Sequence, residues 1–316
     1  MMAKLKIHII KYHISVIVTL WLAILNLSCK SSDGKKQNLV AEGAELMLVS
    51  NAFEFTEGPA ADKSGNVYFT DQPNNSILKW NALDNSVSEY MKPAGRANGL
   101  YFDNDGNLLA AADEKNELWR IDSNKKVTVL AGDFNTIKFN GPNDIWVDPK
   151  GGVYFTDPYY QRTWWAHKSP PQKEKRVYYL APNASKVKVV VHEGYLQPNG
   201  IIGTPNGKTL YVADQAGNKT YAYTITNSGD LIDKKLFTKL GSDGMAIDHL
   251  GNVYLTGNGV TVFSPEGKQI EKIEVPQNWT ANVTFGGKEQ NILFITALNS
   301  IYTLKMNVRG IRYSYY

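Results

Sequence analysis

The sequence is poor in cysteine and histidine, the residues on which many metal and nucleophile sites depend. Its 316 residues include one cysteine, Cys29, so the chain cannot form an internal disulfide. The five histidines show no spacing typical of zinc ligands, and no Gly-x-Ser-x-Gly motif occurs. These absences exclude a disulfide-stapled fold, a His/Cys zinc centre and a nucleophile elbow. The histidines are His8, His13, His167, His192 and His249.

Beyond its first residues the chain also lacks an excess of positive charge. The formal net charge is +4, but residues 1–36 carry six lysines and Asp33, a net charge of +5. Residues 37–316 therefore carry +4 minus +5, or −1. A near-neutral body has no basic surface with which to bind the phosphate backbone, so nucleic acid is not expected as a partner.

No apolar run is long enough to cross a membrane. Residues 14–27 form an apolar run of 14 residues after several lysines, whereas a spanning helix needs about 20. This pattern predicts a signal peptide over residues 1–28. Cys29 follows directly and is placed like the lipidated cysteine of bacterial lipoproteins, although Asn26 stands where leucine is usual. We expect a lipid-anchored protein of the bacterial cell envelope, periplasmic or surface-exposed; a signal-anchor or an ordinary secreted protein is the alternative.

One short pattern occurs six times in the remaining chain, at intervals of 41, 45, 56, 44 and 39 residues. Each copy starts with an acidic or amide side chain and has a turn residue eight positions later, glycine in five copies and Gln290 in the sixth. A strand-like run follows, such as Val67–Asp71. Repeats of this period that are rich in short strands indicate an all-β fold, a six-bladed β-propeller. The copies start at Glu57, Asn98, Asn143, Asn199, Asp243 and Asn282.

The repeat also predicts domain limits and a functional face. Residues 29–43 are expected to be a polar tether and residues 44–316 the propeller, with residues 44–49 supplying the outer strand that closes the ring. Because two antiparallel strands return the chain to its starting end, the six first residues should gather there. A second, outer ring is expected around them: Asp71, Asp113, Asp157, Asp214 and Gly257.

The first positions of the copies suit a hard cation. Calcium takes six to eight oxygen ligands, and Glu57 and Asp243 would balance its charge while asparagine carbonyls fill further positions. No histidine or cysteine is among the six, which argues against zinc. Each Asn-Gly pair taken alone is equally typical of a turn. Six copies in register favour a metal site with Ca²⁺, and Mg²⁺, Mn²⁺ or Zn²⁺ stay open as alternatives.

Residues 50–305 resemble the senescence marker protein/gluconolactonase/luciferin-regenerating enzyme family. The similarity is carried by Glu57-Gly-Pro, Pro142-Asn-Asp, Pro198-Asn-Gly, Ser242-Asp-Gly and Asn282-Val-Thr-Phe-Gly-Gly. The resemblance implies that the metal ligands are Glu57, Asn143, Asn199 and Asp243. It implies more weakly that Asn98 and Asn282 contact substrate. Animal members have a substrate-binding arginine where this chain has Gly141, and Arg96 is the candidate to replace it.

The resemblance further implies hydrolysis of a lactone, a sugar aldonolactone such as gluconolactone, with Asp243 as general base or nucleophile. A bound divalent ion can polarise the carbonyl and acidify a water. A carboxylate that ligates calcium should be a poor base because its pKa is lowered. Asp144 and Asp157 are therefore kept as alternative acids on the same face.

The third copy is the longest, and its extra residues follow Asp157. Residues 158–171 contain two tryptophans, two tyrosines, Arg162 and His167. A long aromatic loop beside a pocket can stack on a sugar ring and shield it from water. We expect Tyr159 and Arg162, together with Asp157, to contact substrate; the alternative is that the tryptophans only pack the loop onto the body.

Two other functions remain open at this level. The same site can serve an arylesterase or a phosphotriesterase, and paraoxonase-like propellers would need histidines above the metal, for which only His192 is a candidate. A non-catalytic propeller that binds a ligand is the third possibility, since a fold alone does not define a function. The expected partner is a small-molecule lactone, and the protein is expected to be a monomer that contacts a membrane only through a lipid anchor.

Overall fold

The computed structural model describes residues 38–311, which contain 26 β-strands and no helix. Twenty-four of these strands form six four-stranded antiparallel sheets, and the other two form a short hairpin. In five sheets the strands follow one another in chain order, as the repeat predicts. The prediction of a six-bladed β-propeller is confirmed. Within residues 38–311, no helix is available that could span a membrane.

The first half of the chain builds blades 1, 2 and 3. Blade 1 contains β2 Thr56–Ala61, β3 Val67–Asp71, β4 Ser76–Trp80 and β5 Val87–Met91. Blade 2 contains β6 Ala97–Phe102, β7 Leu108–Ala112, β8 Glu117–Ile121 and β9 Val127–Ala131, followed by the hairpin of β10 Asp133–Phe134 and β11 Ile137–Lys138. Blade 3 contains β12 Ile145–Val147, β13 Val153–Asp157, β14 Arg176–Leu180 and β15 Lys188–Val191.

The second half of the chain builds the other three blades. Blade 4 contains β16 Pro198–Gly203, β17 Thr209–Asp214, β18 Lys219–Ile225 and β19 Leu231–Thr238. Blade 5 contains β20 Met245–Ile247, β21 Val253–Gly257, β22 Gly259–Phe263 and β23 Gln269–Ile273. Blade 6 contains β24 Asn282–Gly286, β25 Ile292–Ala297, β26 Ser300–Lys305 and, as its outer strand, β1 Met47–Ser50.

The core lies between neighbouring blades. Buried aromatic side chains of the second strands meet aromatic rings across blade boundaries: the ring centroids of Phe69 in blade 1 and Phe294 in blade 6 lie 5.6 Å apart, and those of Tyr254 in blade 5 and Phe285 in blade 6 lie 5.1 Å apart. These strands alternate β-branched and aromatic residues, which fill both faces of a pleated sheet. Burial on both faces explains why the central strands are almost entirely apolar.

The turn after each inner strand has the same backbone in all six blades. Gly65 has a φ of 86°, and Gln290, the exception to the glycine pattern, has a φ of 54°. Both residues lie in the left-handed region, which glycine enters without steric cost. The repeat register therefore holds in the sixth copy, where a glutamine takes the strained position.

The ring is closed by the start of the described chain. Strand β1 pairs with β26, with Met47 opposite Thr303 and Leu48 opposite Tyr302. The predicted strand closes blade 6 as expected, but it covers Met47–Ser50 and not residues 44–49. The packed body nevertheless begins before Ala44, because Leu39 is fully buried and Val40 forms a bridge with Met306. Residues 38–43, which sequence assigns to the tether, therefore belong to the body; the predicted signal peptide and Cys29 lie outside the described residues.

We expect Leu39→Ala to lower the free energy of unfolding by about 2–5 kcal/mol, because it removes a fully buried side chain and leaves a cavity. Leu83→Ala is the matched control: Leu83 is 86% exposed, and its truncation should change stability by no more than about 0.5 kcal/mol. Urea denaturation of both variants checks the prediction. Equal midpoints would mean that residues 38–43 add nothing to the fold.

Candidate functional site

The first residues of the six copies lie in or next to the inner strands, at the same end of the propeller. Thr56 is opposite Asp71 in the β2–β3 ladder, and Pro198 is opposite Asp214 in β16–β17. The end of each second strand therefore returns beside the start of the first, as the sequence geometry predicts. We call Glu57, Asn98, Asn143, Asn199, Asp243 and Asn282 the inner ring. Asp243 is half-buried, and the other five are no more than 5% exposed.

Irregular strand pairing next to the inner-ring residues sets the direction of their side chains. The ladder register shifts between Glu57 and Ala60, between Ala97 and Leu100, and between Pro198 and Ile201. In blades 3 and 5 the inner strand begins only two residues after the ring residue. Bulges of this kind redirect side chains and are common beside functional sites.

The glycine that follows a ring residue allows the next blade to approach. A Cβ at Gly58 would lie 2.1 Å from the Asn98 carbonyl oxygen, and one at Gly244 would lie 1.9 Å from the Asn282 side chain. The pairs of a ring residue and a glycine, which resemble turn dipeptides in sequence, thus lie where neighbouring inner strands approach each other closely. Their glycines are required by blade-to-blade packing around the axis.

Glu57 lies at the centre of this packing. Its Oε2 accepts hydrogen bonds from the Gly58 N–H at 2.7 Å and from Asn282 Nδ2 at 3.1 Å. Burial raises the pKa of Glu57 well above its ordinary value, and the nearby carboxylates of Asp243 and Asp144 raise it further. The pKa shift reflects removal of the carboxyl group from water first and repulsion from the neighbouring carboxylates second.

Asp243 is hydrogen-bonded through both of its carboxylate oxygens. Oδ1 accepts from Asn199 Nδ2 at 2.6 Å, and Oδ2 accepts from the indole N–H of Trp279 at 2.6 Å. Burial raises the pKa of Asp243 to about 6, against the lowering effect of these two donors. The carboxylate is therefore held in one orientation from two neighbouring blades.

Two ring oxygens have no hydrogen-bond donor. Asn98 Oδ1 and Asn199 Oδ1 are buried and unpartnered among residues 38–311. A buried carbonyl without a partner carries a free-energy penalty of about 1–3 kcal/mol. Together with the raised pKa values of Glu57 and Asp243, these oxygens are suited to a hard cation such as calcium.

Carboxylates alone do not form this site. Within the described part of the chain, no three His, Cys, Asp or Glu side chains cluster so as to hold a metal ion. Any cation bound here would need the asparagine amides as well as Glu57 and Asp243. None of the described histidines lies in the ring: His192 follows an outer strand and is exposed, His249 contacts the Arg309 carbonyl, and His167 stacks on Trp165.

Asp144 is the third acid of the ring region. It occupies the position that glycine holds after Glu57, Asn98, Asn199 and Asp243, so its side chain lies between blades 3 and 4. Its oxygens accept from the N–H groups of Ile145 at 3.0 Å and Ile201 at 3.4 Å. Burial raises its pKa to about 7. Asp144 also lines a cavity of about 560 Å³ that extends along the axis.

This central cavity leads away from the ring towards the end of the propeller that carries the turns after the inner strands. Asn282 and Asp144 border it near the ring, and Asp62 and Asp103 border it at the turns. Most of the walls between them are apolar inner-strand side chains, including Leu100, Ile145, Ile201, Met245 and Phe285. The cavity therefore lies between the ring region and the turns at the opposite end.

Most of the outer ring has a structural role. Asp71 accepts from the Phe55 N–H, Asp157 from the N–H groups of Asn140 and Gly141, and Asp214 from those of Leu196 and Gln197. Each aspartate thereby holds the backbone just ahead of its blade's ring residue. Asp157 is fully buried, with one oxygen 3.0 Å from Asn140 N and the other 2.8 Å from Gly141 N. The expectation that Asp157 contacts substrate is therefore corrected.

Asp113 is the exception in the outer ring, because it binds side chains. Its Oδ2 lies 2.7 Å from Arg162 Nε and 3.0 Å from Gln72 Nε2. Burial raises the pKa of Asp113 to about 6, although the Arg162 charge opposes that rise. Since Trp165 also donates its indole N–H to the Asp113 carbonyl, this pair fastens the long loop of blade 3 onto blade 2.

The loop of residues 158–171 contains one of the two predicted arginines, Arg162, and lies beside the other, Arg96. The Arg96 guanidinium is 4.6 Å from the Trp164 ring centroid, and the Arg162 guanidinium is 5.6 Å from the same ring. Arg96 also donates to the Pro73 carbonyl at 2.6 Å, while its Nε makes no hydrogen bond and lies 3.9 Å from Glu114 Oε1. Both arginines are thus held at the ring end of the propeller, near but not in the inner ring.

Of the two neighbouring tyrosines in this loop, Tyr160 reaches the inner ring and Tyr159, the residue expected there, does not. Tyr159 stacks on Trp165 and donates its hydroxyl proton to Gln161 Oε1 at 2.5 Å, within its own loop. Tyr160 instead reaches the ring, where its hydroxyl oxygen accepts from Asn199 Nδ2 at 2.8 Å. The aromatic composition of the loop predicts that a tyrosine lies near the ring, but it does not distinguish Tyr159 from Tyr160. Trp279 carries no signal in the repeat, so sequence reasoning missed it.

The fold and these side chains define a six-bladed propeller with a buried ring of acids and amides at one end of its axis. The SMP-30/Gluconolactonase/LRE-like region matches residues 55–299, and the chain belongs to this family.

Three relatives show how far the similarity extends. The gluconolactonase of Zymomonas mobilis is 27% identical over 296 residues, covering 84% of this chain and 82% of the relative. A solved gluconolactonase from Xanthomonas campestris has a TM-score of 0.78 and 25% identity, covering 85% of this chain and 91% of that one. A regucalcin from Agrobacterium tumefaciens, described as a calcium-binding protein, shares the fold with a TM-score of 0.71 and 20% identity, covering 84% and 94%.

Proposed function

We propose that this protein hydrolyses a lactone ring, that of a sugar aldonolactone such as gluconolactone, in a reaction that depends on calcium or a similar divalent cation. The protein is a hydrolase acting on ester bonds. The observation that carries the proposal is the convergence of Glu57, Asp243 and the unpartnered Asn199 Oδ1 on one ring. The similarity to gluconolactonases along more than four-fifths of the chain supports the substrate class.

Glu57, Asn143, Asn199 and Asp243 would hold the cation. The ion supplies Lewis-acid polarisation of the lactone carbonyl and acidifies water. Asn98 and Asn282 line the same ring and would contact the sugar hydroxyls. The pKa values of Glu57 and Asp243 are raised in the structure, and a bound cation would favour the ionised form of both carboxylates.

Asp243 is the general base in this proposal. Hydrogen bonds from Asn199 and Trp279 fix both of its oxygens, so its orientation does not depend on the substrate. It would take a proton from the attacking water and return it to the ring oxygen when the C–O bond breaks. Asp157 has no part in this step because it is fully buried and holds the backbone N–H groups of Asn140 and Gly141.

Neither alternative function is favoured by a contact in the structure. A paraoxonase-like mechanism would need histidine at the ring, whereas the described histidines lie elsewhere. A binding scaffold would not require three acids gathered in one ring region, where burial raises the pKa of each of them. Export and lipid attachment at Cys29 remain part of the proposal on sequence grounds alone.

The direct test is hydrolysis of glucono-1,5-lactone by the protein from residue 30 onward, with calcium and with EDTA. We expect turnover with calcium and its loss in EDTA. Hydrolysis can be followed as acid release in a weakly buffered solution with a pH indicator, after subtraction of the spontaneous rate. Calcium binding without turnover would contradict the substrate class, and failure to bind any divalent cation would contradict the metal site.

A further inference from the structure

The Asn199 side chain fixes a hydroxyl group in the ring. Its Nδ2 donates to Asp243 Oδ1 at 2.6 Å and to the Tyr160 hydroxyl oxygen at 2.8 Å. A side-chain amide nitrogen carries two hydrogens, so these two bonds use both. The amide is therefore oriented by its two partners, and Oδ1 is left buried and unpartnered.

Tyr160 accepts this hydrogen bond and keeps its own proton available. Gln197 also acts on the hydroxyl oxygen as a side-chain donor, and no hydrogen bond donated by the hydroxyl occurs among residues 38–311. A phenol is both donor and acceptor and is neutral at pH 7. The ring thus contains one neutral O–H donor that is already positioned and not yet used.

The tyrosine is held by the body and not only by its own loop. The Arg162 guanidinium lies 5.6 Å from the Tyr160 ring centroid, and Asp113 fixes Arg162 with an Nε–Oδ2 distance of 2.7 Å. The pair is largely buried, with side-chain exposures of 19% for Arg162 and 2% for Asp113. A donor that is fixed before substrate arrives needs no reorganisation during the reaction.

We propose that Tyr160 is a catalytic residue whose hydroxyl donates a hydrogen bond to the carbonyl oxygen of the bound lactone. This inference rests on the proposed lactonase function. When the water oxygen bonds to the carbonyl carbon, the π electron pair moves to the carbonyl oxygen, and the Tyr160 hydrogen bond stabilises the resulting negative charge. The water proton goes to Asp243 and then to the ring oxygen as the ring C–O bond breaks. Tyr160 keeps its proton throughout.

The neighbouring residue provides a matched control. Tyr159 has the same side chain one position earlier, but its hydroxyl donates to Gln161 and its ring stacks on Trp165 with a centroid distance of 5.9 Å. Tyr159→Phe and Tyr160→Phe each remove one oxygen atom from the same loop. Only Tyr160→Phe removes an oxygen that contacts the ring.

The test compares both variants with the wild type on glucono-1,5-lactone at saturating calcium, with calcium affinity measured by titration calorimetry. We expect Tyr160→Phe to lower kcat about 10²-fold with KM changed by less than about threefold. Tyr159→Phe should keep wild-type kcat. Calcium affinity should be similar in all three proteins.

Three results would overturn the inference. Equal kcat values for the two variants would show that Tyr160 does not act on the substrate. A loss of kcat in Tyr160→Phe that accompanies weaker calcium binding, and that calcium above the wild-type saturating concentration restores, would assign the tyrosine to positioning Asn199. A wild type that binds calcium but leaves the lactone intact would overturn the proposed function itself, and with it the role of Tyr160.

Discussion

Asp243→Asn is expected to lower kcat for lactone hydrolysis roughly 10²- to 10⁴-fold, the range for loss of a positioned general base. Asparagine keeps the shape of the side chain but cannot take a proton from water. It can also accept from only one of the two donors, Asn199 or Trp279, that face it. Initial rates at saturating calcium and lactone would measure the effect.

The control for this variant is Asp105→Asn. It makes the same chemical change in the exposed turn between β6 and β7, at the end of the propeller opposite the ring. We expect wild-type kcat for it. Circular dichroism and a calcium titration should accompany the rates, because Asp243 is also a proposed ligand. A calcium-saturated Asp243→Asn enzyme with wild-type kcat would exclude Asp243 as the base and leave Asp144 as the remaining acid of the ring region.

Glu57→Gln is expected to weaken calcium binding by about two orders of magnitude or more, since affinity in oxygen sites depends strongly on the number of ligand charges. The raised pKa of Glu57 comes first from burial and then from Asp243 and Asp144. Removing its charge relieves that repulsion. The metal-free variant should therefore be at least as stable as the metal-free wild type at pH 7, while gaining less from calcium.

Thermal unfolding with and without calcium at pH 7, beside titration calorimetry, would measure both effects. Glu54→Gln is the matched control, because Glu54 is exposed three residues before Glu57 and should bind calcium like the wild type. Wild-type calcium affinity in Glu57→Gln would remove Glu57 from the ligand set. A variant that unfolds without calcium would instead indicate that Glu57 is needed for its hydrogen bond to Asn282.

The sequence by itself determined the number of blades, their register and the end at which the ring lies. It could do so because each blade repeats one strand–turn–strand unit, so one glycine position and one polar position recur in every copy. Gln290 holds the position that glycine occupies in the other five copies, and it adopts the same left-handed backbone as Gly65. The closing strand followed because blade 6 lacked an outer strand in the chain after Asn282.

Only the tertiary structure decided which polar side chains face the ring. Asp157 and Asp113 hold equivalent places in the repeat, yet one binds backbone N–H groups and the other binds Arg162. Tyr159 and Tyr160 are adjacent and identical in type, and the path of a non-repeating loop selects Tyr160. A repeat fixes what recurs in every blade, whereas loops that occur once are positioned by contacts between residues far apart in the chain.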